Sequence, residues 1–267
     1  MSDALDTTTP VDVRPWPHDT SIAHLVLLDI SSVPGPDEID RWVDDLLAHG
    51  RRPDGSPLVA PPAGACDATT SQNPTNGAST RVEAIRTGAL FPDAAEMFAE
   101  RGFVPIDHLV LLERTIPVTD ALPRSIPPAG VRLRRLRRRH LGVAAELDAA
   151  CFDLGWRNDA ASLTEIQGAT PRSLARLALL DRRPVGMALT GKAGTTGYLQ
   201  RFAVLADARR RGLARLLVDD SLRWLQRHGA TNALVNTGVD NAAALSLYDA
   251  AGFRRRTDRL VVMERRR

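Results

Sequence analysis

The chain has 267 residues, 43% of them apolar, which is enough to bury one large core or two modest ones. Its charges nearly balance, with 35 Lys plus Arg against 32 Asp plus Glu and a formal net charge of +3. No apolar run approaches the length of a membrane span, and the first residues lack the basic start and apolar core of a signal peptide. These features argue against a membrane or secreted protein, and we expect a cytoplasmic one.

Metal and disulfide chemistry is not predicted. The two cysteines, Cys66 and Cys151, fall in different predicted domains, and neither they nor the six histidines show a metal-ligand spacing. Arginine runs at residues 132–139, 254–259 and 265–267 would suit RNA or an anionic substrate. They lack interleaved aromatic residues, so we interpret them as solvated faces and do not expect nucleic-acid binding.

The N-terminal half begins with a predicted flexible tail over residues 1–20. A strand over 24–30 follows, then a loop containing Pro34-Gly35-Pro36 and a helix ending at His49-Gly50. Residues 51–80 are rich in Pro, Gly, Ser, Thr and Asn. Because such a segment buries little apolar surface, we expect a mobile loop at about 61–78.

The same half continues with a strand around Arg86-Thr87-Gly88, a helix over 92–103 and a strand over 107–114. Residues 116–130 contain four prolines and are predicted to be an interdomain linker. The predicted domains are therefore 21–115 and 131–267.

The C-terminal half alternates strands and helices. The predicted elements, in order, are a strand over 132–136, a helix over 141–151, a hairpin over 174–180 and 184–190, a strand over 198–205, a helix over 213–227, a strand over 233–238, a helix from 242 that stops at Gly252, and a strand over 260–263.

The loop at residues 209–214, Arg-Arg-Arg-Gly-Leu-Ala, joins an apolar strand to an amphipathic helix. Backbone N–H groups in such a turn and the positive end of the helix can hold an anion. Gly212 would let the backbone approach the anion, and Ala214 would keep the first helical turn thin. A solvated basic turn is the alternative for these residues alone.

Two motifs decide between these interpretations. Arg209, Gly212 and Ala214 form R-x-x-G-x-A, and residues 241–253 read N-x-x-A-x-x-L-Y-x-x-x-G-F. Together they resemble the GNAT superfamily of acyl-CoA-dependent N-acyltransferases over residues 131–265. The resemblance implies an α/β (α+β) GNAT fold, with a mixed central sheet flanked by helices in the order β-α-α-β-β-β-α-β-α-β.

The resemblance implies that acetyl-CoA is the cosubstrate. Loop amides would hold its pyrophosphate, the motif strand would pair with its pantetheine arm, and Tyr248 would donate a proton to the departing thiolate. A packed aromatic is the alternative for Tyr248, and a plain N-cap is the alternative for Asn241. The residues implied for acetyl-CoA are Phe202, Ala203, Val204, Arg209, Arg210, Arg211, Gly212, Leu213, Ala214, Arg215, Asn241, Ala244 and Tyr248.

The acceptor would be a primary amine that attacks the acyl carbonyl directly. Residues 151–156 are similar to the acceptor loop of ribosomal-protein-alanine N-acetyltransferases, which indicates acceptor contacts from Phe152, Asp153 and Trp156; core packing is the alternative. Tyr198 and Asn236 stand where relatives often have a glutamate base. Neither is a good base at neutral pH, and both are candidate acceptor-binding residues. Asp153, Asp240 or a water chain are alternatives, so the base stays unassigned, and Cys151 as an acyl-carrying nucleophile is disfavoured.

The N-terminal half resembles a degenerate copy of the C-terminal half. Residues 107–114 parallel 258–265, each after a helix that ends in Gly-Phe, and Phe98 stands at the Tyr248 position. The copy lacks the opening strands. At the position of the cradle it has Pro34 and Pro36, and each proline lacks the backbone N–H that would bind a phosphate. We therefore expect a truncated GNAT-like partner that does not bind CoA, in a tandem arrangement loosely similar to that of mycothiol synthase.

These features predict an N-acetyltransferase acting on a small-molecule amine or a protein N-terminus, as a monomer or homodimer. A non-catalytic acyl-CoA-binding regulatory module is the main alternative, and an arginine-rich RNA-binding protein is a third. Retention of both Asn241 and Tyr248 favours catalysis, because a sensor needs the cradle but not a proton donor.

Overall fold

A computed structural model describes residues 10–17, 19–28, 32–58, 81–120, 122 and 125–267. The chain divides into two compact units. Unit 1 holds the described residues up to Leu109 together with Asp258–Arg267, and unit 2 is Val110–Thr257. No helix among these described residues is long and apolar enough to cross a membrane.

Unit 1 is a mixed sheet with two helices. Its elements are β1 (Val11–Trp16), β2 (Asp19–Leu27), α1 (Pro36–His49), β3 (Ala84–Thr87), α2 (Pro92–Ala99), the start of β4 (Val104–Thr115) and the end of β10 (Arg254–Arg266). Strand β1 pairs antiparallel with β2, β2 pairs parallel with β3, and β3 pairs antiparallel with β10. The helices bury an apolar stripe, with Trp42 and Phe98 stacked at 6.5 Å between ring centroids.

Unit 2 has the predicted element order. Its elements are the end of β4, β5 (Val131–Arg135), α3 (Leu141–Cys151), α4 (Ala160–Gly168), β6 (Arg172–Leu180), β7 (Arg183–Ala193), β8 (Thr196–Val204), α5 (Leu213–Arg227), β9 (Asn232–Gly238), α6 (Ala242–Ala250) and the start of β10. The strands lie in the order β4-β9-β8-β7-β6-β5. The fold class is therefore confirmed as a mixed sheet flanked by helices.

Apolar periodicity explains the helix that positions the site. Helix α5 buries Val218, Leu222 and Leu225 along one side, at the spacing of successive helical turns. On the opposite face of the sheet, α3 buries Ala144 and Leu147 against β6 and β7. The sheet is therefore covered on both faces in unit 2.

Several N-terminal expectations are wrong. Residues 11–16 form β1 rather than a flexible tail, so a strand also precedes the one at which the copy was expected to begin. Helix α2 ends at Ala99, earlier than predicted. Residues 59–80, including the predicted mobile loop, lie outside the described residues, as do residues 1–9 of the tail.

The predicted domain boundaries also differ from the compact units. The divisions fall at Leu109/Val110 and Thr257/Asp258 rather than in a linker at 116–130. Ile116 is buried, and its N–H donates to the Thr231 carbonyl at 2.8 Å, so this residue is packed within unit 2. The end of β10 pairs with β3, where Arg86 and Glu264 form an ion pair at 2.6 Å.

Candidate active site

The predicted anion cradle has two left-handed backbone positions. Arg210 has φ +62° and Gly212 has φ +76°, and Gly212 is the N-cap residue of α5. This conformation costs an L side chain free energy but suits glycine. Because the first N–H groups of a helix have no partner within it, the start of α5 presents donors together with the positive end of the helix dipole.

Two of the cradle arginines, Arg209 and Arg215, are held by hydrogen bonds within unit 2. Arg209 donates from Nε to the Val204 carbonyl at 3.1 Å, and Arg215 donates to Asp219 at 2.9 Å and to the Ala250 carbonyl at 2.7 Å. The exposed side chains of the loop are those of Arg209, Arg210 and Arg211. Leu213 is buried in the core and Ala214 is half-buried, so their backbone is what the cradle can use.

Strands β8 and β9 separate beside the cradle. Their parallel ladder covers Thr196 to Tyr198 of β8, and its last pair is Tyr198 with Leu234. Strand β8 continues to Val204, and Phe202 and Ala203 pair with β7 on the other side. Because a strand presents N–H and C=O groups to both neighbours, the β9 side of this segment is available for an added extended chain.

A β-bulge lies directly after the last β8–β9 pair. Leu189 pairs with Arg201 while the next residue, Thr190, pairs with Leu199, so Gln200 is the extra residue. Bulges bend the strand and increase its twist. We attribute the separation of β8 from β9 to this bulge.

Helix α6 supplies the two motif side chains. Asn241 caps the helix, since its Oδ1 accepts from the Ala244 N–H at 3.1 Å, and its Nδ2 donates to Thr237 Oγ1 at 3.1 Å. Tyr248 is 5% exposed, with its ring edge-on to Phe253 at 5.6 Å. Burial raises the pKa of Tyr248 to about 12, which keeps its hydroxyl protonated at neutral pH.

The predicted acceptor loop is tied to β8 by a residue that the sequence interpretation missed. Arg201 forms a two-point ion pair with Asp148 of α3, with Nε–Oδ2 at 2.6 Å and Nη2–Oδ1 at 2.8 Å. Arg201 Nη2 also donates to the Trp156 carbonyl at 2.6 Å. The guanidinium carbon lies 3.3 Å from the centroid of the Phe152 ring.

The other acceptor candidates occupy varied positions. Asp153 is exposed, and its carbonyl accepts from the Trp156 N–H at 2.8 Å, while Phe152 and Trp156 are half-buried. Tyr198 is half-buried, and Asn236 is exposed. Ala233 and Val235 pack in the core with α5, so the alternating Leu234 and Asn236 point to the other face of the sheet.

Among the described residues, neither Cys151 nor a group of metal ligands forms an alternative centre. Burial raises the pKa of the Cys151 thiol, although Arg209 lowers it, and a thiol with a raised pKa is a poor nucleophile at neutral pH. Among the described residues, no three His, Cys, Asp or Glu side chains group as a metal site.

Comparison with known proteins identifies the domain that contains the candidate site. Residues 141–253 match the family model described as the acetyltransferase (GNAT) family. The chain carries a GNAT acetyltransferase domain. The match begins at α3 and ends three residues beyond α6, so it contains the cradle, the separated strands and Tyr248.

Curated relatives agree with this assignment. The chain is 31% identical over 185 residues to mycothiol acetyltransferase of Rhodococcus jostii, covering 61% of this chain and 58% of that protein. It is 33% identical over 79 residues to the [ribosomal protein bS18]-alanine N-acetyltransferase of Salmonella typhimurium, covering 30% of this chain and 53% of that one. The chain thus spans little more than half the length of either relative.

A solved structure extends the likeness of fold beyond the GNAT domain. The GCN5-related N-acetyltransferase from Kribbella flavida matches with a TM-score of 0.56 and 17% sequence identity. The match covers 91% of this chain and 80% of that one. It therefore includes residues that precede the 141–253 segment.

Proposed function

We propose that this protein is an N-acetyltransferase that moves an acetyl group from acetyl-CoA to a primary amine by direct transfer. The observation that carries the proposal is the presence of three features in unit 2. These are the left-handed cradle at Arg210 and Gly212, the strand edge left open after Tyr198, and the protonated Tyr248 on α6.

The residues fit acetyl-CoA in shape and charge. The N–H groups at the start of α5 suit a pyrophosphate, and the exposed Arg210 and Arg211 add charge-assisted donors. The open side of Phe202 to Val204 suits the amide groups of pantetheine, which would pair as an extra strand. Acetyl-CoA itself supplies the acetyl thioester.

Tyr248 acts as the general acid in this account. Its hydroxyl keeps its proton because burial holds its pKa at about 12, and it donates that proton to the thiolate that leaves after the amine attacks. The scaffold contributes by holding the amine and the thioester in a reactive orientation. The role of Asn241 is to fix the start of α6 while its amide contacts pantetheine.

The acceptor is best matched by an amine of low basicity. Direct attack requires the neutral amine, and an α-amino group with a pKa of about 8 is neutral far more often at pH 7 than a lysine side chain with a pKa of about 10.4. Both relatives described above are named as acetyltransferases. One is a mycothiol acetyltransferase, and the other acts on an alanine of a ribosomal protein. A small-molecule amine and a protein N-terminus both satisfy this criterion.

Unit 1 is proposed to be a degenerate GNAT-like partner in a tandem arrangement. Its elements β2, α1, β3 and α2 repeat the order of β8, α5, β9 and α6. Strand β2 is parallel to β3, as β8 is to β9. At the position of Tyr248 it has Phe98, whose ring lies in an apolar core and has no hydroxyl to donate. We propose that unit 1 does not bind CoA and that the protein acts in the cytoplasm.

A thiol-release assay tests the function. The protein is incubated with acetyl-CoA and a panel of amino sugars, other small amines and peptides with ribosomal-protein N-termini. Acetyl-dependent thiol release with at least one amine is the expected result. Acetyl-CoA that raises the melting temperature without turnover on any acceptor would instead indicate a non-catalytic binding module.

A further inference from the structure

The Arg201–Asp148 pair joins two parts of the site that are distant in sequence. Arg201 lies on β8 directly before the Phe202 to Val204 segment, and Asp148 lies on α3 just before the acceptor loop. The Asp148 side chain is 0% exposed and that of Arg201 is 15% exposed. Burying a carboxylate away from water costs free energy unless the carboxylate is paired with a positive charge and hydrogen-bonded. The Arg201 guanidinium provides both for Asp148.

The same pair organises the backbone of the loop. Asp148 Oδ1 accepts from the Asn158 N–H at 2.7 Å, and Arg201 holds the Trp156 carbonyl. With its amide oxygen turned toward Arg201, Asn158 also accepts from Arg201 Nε and Nη2, each at 3.1 Å. The Trp156 carbonyl and the Asn158 side chain are thereby fixed to Arg201, and the Asn158 backbone N–H is fixed to its partner Asp148.

We propose that Arg201 is a positioning residue that fixes the acceptor loop relative to the acetyl-CoA strand. The inference rests on the proposed function, since it assigns the loop to the acceptor. The planar Arg201 guanidinium donates to both carboxylate oxygens of Asp148 and to the Trp156 carbonyl. Its flat face lies over the Phe152 ring. A lysine at this position keeps the charge but cannot form that geometry.

The test compares Arg201→Lys with a matched ion-pair variant. Arg176 of β6 pairs with Asp220 of α5 at 2.7 Å, with comparably buried side chains, and does not touch the loop. Arg176→Lys is therefore the control for the loss of one Arg–Asp ion pair in the same unit. Asp148→Asn, which preserves the shape of the carboxylate, is the second variant if Arg201→Lys fails to fold.

Hydrogen exchange and kinetics are the readouts. In Arg201→Lys we expect amide exchange across residues 152–159 to accelerate and the KM for the acceptor to rise at least about tenfold, while the Kd for acetyl-CoA stays within about twofold. Arg176→Lys leaves both the loop exchange and the acceptor KM unchanged. The acceptor is whichever amine the wild-type protein acetylates in the panel.

The outcomes separate the two proposals. Unchanged loop exchange in both Arg201→Lys and Asp148→Asn would overturn the positioning role, whatever the enzyme acetylates. Faster exchange with an unchanged acceptor KM would overturn the link to the acceptor. A wild-type protein that acetylates no amine would defeat the proposed function, and the exchange measurement would still decide whether Arg201 holds the loop.

Discussion

Tyr198 and Leu234 form the last backbone pair between β8 and β9, and the bulge at Gln200 follows immediately on β8. This relationship creates an open strand edge next to the cradle at Gly212. If the β8–β9 ladder continued past Tyr198, the N–H and C=O groups of Phe202 to Val204 would bond to β9 and would not be available to an extended ligand. The separation of the two strands is therefore a structural basis for cosubstrate binding in the proposed function.

The proton-donor role predicts a specific kinetic defect in Tyr248→Phe. The substitution removes a hydroxyl and preserves the ring that packs on Phe253, so the fold and acetyl-CoA binding should persist. We expect kcat to fall about 10²-fold, the scale of general-acid catalysis. Thiol-release kinetics measure kcat, and calorimetry measures the Kd. Equal kcat in the variant and the wild type would refute the assignment.

The pH dependence of the reaction tests the same residue differently. Burial raises the pKa of Tyr248 from 10.0 to about 12, so its donor form persists throughout the range below that value. We expect kcat/KM to rise with pH up to the pKa of the acceptor amine, about 8 for an α-amino group, and then to stay level. A fall in kcat/KM between about pH 9 and pH 10 would show that a group with an ordinary tyrosine pKa controls the reaction.

Replacement of Gly212 should weaken acetyl-CoA binding. A valine at φ +76° is strained, even though an added Cβ would come no closer than 3.7 Å to Pro128. Left-handed backbone costs an L residue about 1–2 kcal/mol, so a reshaped loop and at least about a tenfold rise in Kd are expected. Gly142→Val is the control, since Gly142 lies in α3 with open space around it. Undiminished binding in Gly212→Val would mean that the cradle lies elsewhere.

Unit 1 should be sensitive to acid through His24. Burial, with help from Arg14 and Arg86, lowers the pKa of His24 from 6.5 to about 3. Between these values the unfolded chain binds the extra proton, so stability is complete above pH 6.5 and falls as the pH drops. At 1.36 kcal/mol per pKa unit, the loss reaches about 3 kcal/mol by about pH 4.

Urea unfolding of His24→Gln and the wild type at several pH values measures this effect. The variant should lose less unfolding free energy than the wild type between about pH 6.5 and pH 4. His108→Gln, at an exposed position on β4 in the same unit, should follow the wild-type curve. Parallel curves for the wild type and His24→Gln would contradict the assignment.

Local patterns were sufficient to predict the elements that build the cradle. Helices α3 and α5 occupy the predicted residues, because their apolar periodicity and their boundary residues agree. The left-handed Gly212 was also predictable, since a glycine between a strand and a helix indicates a turn of this kind.

Long-range features were not predictable in the same way. Arg201 and Asp148 are 53 residues apart, and no local pattern marks them as partners. Residues 107–114 and 258–265 are near copies, so their sequences cannot tell which neighbouring strand each one takes. The compact units place 258–267 with β3 and 110–115 with β9. The bulge at Gln200 depends on the pairing of β7 with β8 rather than on any residue signal.

We propose that residues 209–215 are the only CoA cradle in the described residues, so that one half of the chain holds it. Hydrogen exchange with and without saturating acetyl-CoA tests it most directly. We predict strong protection of residues 202–204 and 209–215, no change at residues 32–38 of unit 1, and one acetyl-CoA bound per chain. Protection at residues 32–38, or none at 209–215, would contradict the account.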